Sequence, residues 1–239
     1  MRRRPNIPPR VIDLSEPVYT GMPHWPTHPD PLITRVKRIA SDGFDMSIIQ
    51  NMTVHTGTHV DAPSHFLRDG KPVGKLPLEK FMGEGIVLDF RHKKPAEEIL
   101  AEDFLVYDKK IMRDDVVLLC TGWSQKRGFN AEFLFNWPYV SDSAARFLVE
   151  KGIRAIGTDG LSIGGWGESL PHQGPTAKTP PSISHSIFLE RDVVIIEEMN
   201  NLDKVLELSK TGRAYVVYAP VFLTDSEASP CRAFALLGD

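Results

Sequence analysis

The chain has 239 residues, 41% of them apolar and 25% charged, with a formal net charge of -3. Those proportions suit a globular protein with a sizeable core. They argue against a general nucleic-acid binder, which needs a basic surface, and no apolar run approaches the ~20 residues that cross a bilayer.

In chain order, Arg2, Arg3 and Arg4 are followed by prolines at positions 5, 8 and 9 rather than by an apolar segment. Residues 1–10 therefore read as a flexible tail and not a signal peptide, and residues 11–239 as one domain. Strands are expected at Val11–Leu14, Met46–His55, Gly85–Phe90, Asp115–Thr121, Ile153–Thr158, Asp192–Glu197, Ala214–Leu223 and Arg232–Leu237, all rich in Val, Ile, Leu and Phe. A helix is expected over Ser143–Lys151, capped by Ser141 or Asp142 and ended by Gly152. Shorter helices are expected over Ser184–Glu190 and Leu202–Leu208. The result is a mixed α/β chain in which strands outnumber helices, so a simple repeat of doubly wound βαβ units does not fit. Residues 160–183 read as one long loop, of the length that often serves as a lid. Cys120 follows the apolar run Val116–Leu119 and reads as a buried free thiol. Two cysteines, Cys120 and Cys231, do not suggest a disulfide framework, and a cytoplasmic location follows as the default.

Residues 55–66, His-Thr-Gly-Thr-His-Val-Asp-Ala-Pro-Ser-His-Phe, carry the strongest signal. They hold three of the eight histidines of the chain and one carboxylate. His55, His59, Asp61 and His65 all fall on odd positions, which in an extended chain share one face. Imidazole and carboxylate converging from one face make a divalent-metal site. A helix would also bring His55 and His59 together. However, Gly57, Pro63 and the β-branched Thr56, Thr58 and Val60 oppose it. On a straight strand residues four apart are about 13 Å from each other, so the chain must bend between His55 and His59, and Gly57 permits the bend. Three protein ligands leave coordination positions open, as catalytic sites do, where the pKa of a water is lowered towards ~7. His65 is a candidate acid/base, or a residue that only orients a ligand. Glu197 ends the apolar run Val193–Ile196, where a carboxylate is costly unless partnered. Glu198 beside it would point the other way. Trp25 and Phe66 are candidates for contact with a flat substrate ring, although Trp25 could equally be packed beneath its loop. His24 and His28 flank Trp25-Pro26 and read mainly as solvated loop residues. His92 reads as surface, and His172 lies in the long loop.

The pattern His55-x-Gly57-Thr58-His59-x-Asp61-x-Pro63-x-His65-Phe66 resembles the signature of the cyclase-family metal-dependent hydrolases, a group that includes bacterial kynurenine formamidase and isatin hydrolase. Ile12-Asp13-Leu14-Ser15, Met22-Pro23, Trp25-Pro26, Thr121-Gly122-Trp123, Gly157-Thr158-Asp159 with Ser162, His185, Ile195-Ile196-Glu197, Asn201-Leu202, Pro220 and Ser229-Pro230-Cys231-Arg232 are similar to further parts of that family. The resemblance implies a swivelling β/β/α architecture. It adds His185 and Glu197 as ligands of a second ion with Asp61 bridging, and it makes His65 catalytic. It implies zinc, with manganese as an alternative, one or two ions per chain, and a homodimer or homotetramer. The implied reaction is hydrolysis of an aryl formamide such as N-formylkynurenine, in tryptophan catabolism. Hydrolysis of a cyclic amide of the isatin type is the competing reading, and a metal-binding module without catalysis is the competitor from another class. Neither nucleic acid nor membrane is an expected partner. Two departures sit near the expected site. Gly164 stands where many members have Asp, and the loop from Asp159 to His185 is longer than in compact formamidases.

Overall fold

Short runs of Val, Ile and Leu build one eight-stranded mixed sheet. The computed structural model describes residues 10–166 and 183–238. Its strands are β1 (Arg10–Asp13), β2 (Leu32–Lys37), β3 (Met46–Gln50), β4 (His59–Asp61), β5 (Met82–Asp89), β6 (Glu98–Ile99), β7 (Val116–Cys120), β8 (Tyr139–Val140), β9 (Ala155–Thr158), β10 (Val194–Glu197), β11 (Arg213–Pro220) and β12 (Ala228–Leu237). The helices are α1 (Ile39–Asp42), α2 (Ala131–Phe135), α3 (Asp142–Lys151), α4 (Ser184–Leu189) and α5 (Leu202–Leu208).

The main sheet runs β1-β12-β11-β5-β7-β9-β10-β4, and β4 also pairs with β12. The sheet therefore curls back on itself into a barrel-like wall, with β4 as the strand that closes it. Within this sheet β5, β7, β9 and β10 run parallel, and the remaining pairings are antiparallel. Both faces of the parallel part are covered, which is why those strands read as continuous apolar runs rather than as alternation. Val116, Leu118 and Cys120 of β7 enter one core cluster, with Val60, Ala62 and Ile196. Val117 and Leu119 enter a second, with Ala144, Ala145 and Leu148 of α3 and Phe188 of α4. Burying each such Val or Leu is worth about 1.5–3 kcal/mol.

Helix α3 begins where its cap requires. The Ala144 N–H donates to Ser141 Oγ at 3.1 Å, and Gly152 ends the helix at φ +72°, a conformation that favours glycine. The helices at 184–189 and 202–208 also form. Cys120 is buried and Cys231 half-buried, and both are free thiols.

The expectation of one strand over Met46–His55 needs correction. Regular pairing stops at Gln50, because Asn51 takes φ +51°. Asn is among the residues that tolerate that conformation. β3 pairs with β2, which sequence inspection missed, in a separate two-stranded ribbon. All five residues of β3 are exposed. The expected long loop 160–183 falls largely on residues 167–182, outside the described residues, as do His172 and residues 1–9. Arg10 already belongs to β1, opposite Leu237. Among the described residues no helix is long and apolar enough to cross a membrane.

Candidate metal centre

The strand that closes the barrel carries the centre. In β4, His59 and Asp61 share a face, while Val60 between them enters the core. Its ladder with β10 sets Glu197 opposite His59 and Ile195 opposite Asp61. On its other edge β12 sets Ala228 opposite Asp61. Thr58 anchors the start of the strand by donating its hydroxyl to the Glu198 carbonyl and accepting the Glu16 N–H. His55 is not on the strand at all. It sits in the turn segment 51–58 and reaches the centre because Gly57 takes φ +64°. The bend expected at Gly57 is present, but the shared face of an extended strand accounts only for His59 and Asp61.

Two overlapping donor groups result. His55, His59 and Asp61 form one, and Asp61, His185 and Glu197 the other, each with ligand atoms within 4.8 Å of one another. His55 Nδ1 lies 3.1 Å and His59 Nε2 3.5 Å from Asp61 Oδ1. His59 Nε2 is also 3.5 Å from Glu197 Oε2. His185, on α4, places Nε2 3.0 Å from Glu197 Oε1 and 4.0 Å from Asp61 Oδ2. Asp61 is fully buried, yet neither of its oxygens has a hydrogen-bond partner, and neither does His59 Nε2. A carboxylate taken out of water without donors is costly. This set of buried imidazole and carboxylate donors fits a divalent cation.

Surrounding groups aim these side chains. The His59 Nδ1–H donates to the Gly57 carbonyl at 2.7 Å, turning Nε2 inward. Glu197 Oε1 accepts the Ile163 N–H at 2.7 Å and the Ser162 hydroxyl at 3.1 Å. A Cβ on Gly164 would lie 3.3 Å from two atoms of the His185 ring, so the glycine lets the backbone back closely onto that ligand candidate. Burial alone would raise the Glu197 carboxyl, but the bond to His185 and the nearby His59 imidazole hold it well below its usual range. Burial alone would lower His59, but Glu197 and Asp61 outweigh it and raise its pKa to about 9. Glu198 turns away, as expected, to Arg127 Nη1 at 2.6 Å.

The donors open onto a cavity of 870 Å³. His65, half-buried on the turn after Pro63, lines it with its ring centroid 4.4 Å from that of His55. Burial lowers the pKa of His65. Phe66 stacks on His185 at 4.6 Å, and Trp25 faces the cavity while leaning on Trp166 at 5.0 Å and Trp137 at 5.6 Å. His24 does not line the cavity. It donates to the Trp25 carbonyl and pairs with Asp30. His92 is exposed, in accord with its reading. Two further residues line the cavity: His28, read from sequence mainly as a solvated loop residue, and Glu227, which was not among the candidates. His28 is held by Thr53 at 3.3 Å, and burial lowers its pKa to about 4. Glu227 lies 3.5 Å from His55 Nε2. The position of Glu227, just ahead of Ser229-Pro230, was the only available hint.

The model of the Cyclase family, described as "Putative cyclase", matches residues 12–164. The kynurenine formamidase of Bacillus cereus is 27% identical over 225 residues, covering 93% of this chain and 95% of that protein. A solved structure described as a predicted metal-dependent hydrolase from Bacillus stearothermophilus is 30% identical with a TM-score of 0.70, over 95% of this chain and 97% of that one. Isatin hydrolase A of Labrenzia aggregata is 25% identical with a TM-score of 0.82, over 96% and 94%.

Proposed function

The chain belongs to the cyclase family, and from that premise we propose that it is a metal-dependent hydrolase cleaving an amide C–N bond, with an aryl formamide of the N-formylkynurenine type as substrate. The observation that carries the reading is Asp61, a buried carboxylate without hydrogen-bond donors that belongs to both donor groups. Similarity along nearly the whole chain to kynurenine formamidase supports the choice of substrate.

A divalent ion bound by these donors supplies Lewis acidity towards a carbonyl oxygen and a water of lowered pKa. His55, His59 and Asp61 would hold one ion, and His185 and Glu197 with Asp61 a second. Burial of His65 disfavours its charged form. The imidazole takes the proton of the attacking water and returns it to the leaving amine. Trp25 and Phe66 offer flat faces at the cavity wall for an aromatic ring. Imidazole with carboxylate supports zinc first and manganese as the alternative. A homodimer or homotetramer in the cytoplasm, working in tryptophan catabolism, completes the proposal.

Hydrolysis of a cyclic amide is the second reading, favoured by the TM-score of 0.82 to isatin hydrolase A. Zinc- or manganese-loaded protein assayed on N-formylkynurenine, with a chelated control, tests the first. Turnover that disappears on chelation supports it. A folded, metal-loaded protein that leaves N-formylkynurenine intact and opens isatin establishes the second.

A further inference from the structure

We propose that Glu227 is a positioning residue for His55, holding its imidazole with Nδ1 turned towards the donor group. The inference rests on the metal-dependent reading above. An imidazole that ligates a metal does so through one nitrogen, and the partner of the other nitrogen decides which. For His59 the partner is a backbone carbonyl, that of Gly57 at 2.7 Å, and Nε2 faces Asp61 and Glu197. His55 is arranged the opposite way. Its Nδ1 faces Asp61 Oδ1 at 3.1 Å and its Nε2 faces Glu227 Oε1 at 3.5 Å. Asp61 and Glu227 are thus the two carboxylates within ion-pair distance of its ring nitrogens.

The sheet explains why Glu227 is there. The Ala62 N–H donates to the Glu227 carbonyl at 2.8 Å, and Ala228 follows directly opposite Asp61 in the β4–β12 ladder. Glu227 thus reaches the centre through the same pairing that delivers Asp61. His55 comes from a turn and has no strand to fix it. A carboxylate on the far nitrogen fixes the tautomer and the ring plane and makes the ligating nitrogen more basic.

The test measures zinc affinity by competition with a chromophoric chelator, without substrate, in Glu227→Gln, Glu227→Ala, His55→Ala and the double variant. Glu227→Ala is expected to weaken zinc binding by about 10–100-fold. Glu227→Gln, whose amide oxygen still accepts, should retain most of the affinity. In the His55→Ala background, Glu227→Ala should then change little, since an effect transmitted through His55 is not additive. In zinc-loaded protein, nitrogen NMR should find the proton of His55 on Nε2. Equal losses in both backgrounds, no loss in Glu227→Ala, or a proton on Nδ1 overturns the role of Glu227. Failure to hydrolyse any amide leaves these readouts intact, whereas an unaltered protein that binds neither zinc nor manganese overturns both readings.

Discussion

On the zinc-dependent reading proposed above, binding must displace the proton that His59 holds in the metal-free protein, and this makes the affinity strongly pH-dependent. His59 Nε2 lies 3.5 Å from both Asp61 and Glu197. Burial opposes the charged imidazolium, yet the two carboxylates prevail and raise its pKa to about 9. Nearly every metal-free molecule therefore holds this proton between pH 6 and 8. Each unit below pH 9 costs a factor of ten in apparent affinity, so lowering pH from 8 to 6 weakens zinc about 100-fold, or about 2.7 kcal/mol. His185 adds in the same direction. Burial would lower its pKa, but Glu197 raises it instead. The chelated protein should show the opposite trend. A folded-state pKa raised from 6.5 to about 9 contributes about 3 kcal/mol of stability below pH 6.5, and this is lost as pH rises through 9. Chelator competition at pH 6, 7 and 8, with calorimetry in two buffers of different ionisation enthalpy, measures the slope and the protons released. A zinc affinity that is flat across that range refutes the reasoning.

The other predictions concern single side chains. Gly164→Ala puts a methyl 3.3 Å from His185; it should cost about 1–3 kcal/mol in chemical denaturation and lower zinc occupancy. Unchanged values would show that the close approach to His185 is not needed. His65→Ala should lower kcat by about 10²–10⁴-fold at unchanged zinc content. Because burial lowers the His65 pKa, the acid limb of the unaltered kcat/KM profile should lie below pH 6.5, and that limb should vanish in the variant. Trp25→Ala removes one wall of the cavity and should raise KM by about 2–10-fold, the worth of one aromatic contact, with kcat little changed. A fall in kcat alone would place Trp25 outside substrate binding.

Local rules of sequence made much of this protein legible. The apolar runs at 116–120 and 194–196 became the central strands, because strands covered on both faces need no alternation. Ser141 and Gly152 bounded α3 through short-range hydrogen bonding and backbone freedom. His59 and Asp61 share a face because side chains on a strand repeat every two residues. The remaining features depend on contacts between distant segments. The turn from Asn51 to Gly57 carries His55 to the centre, and the register of β4 against β10 sets Glu197 opposite His59. From sequence alone, His185 and Glu197 could be paired only by resemblance, since they sit on a helix and a strand with no local motif between them. Glu227 enters through the β4–β12 ladder, 166 residues of chain after Asp61. A pattern of period two states which way a side chain faces. Only the closed sheet, by fixing which strands neighbour one another and in what register, decides which side chains meet.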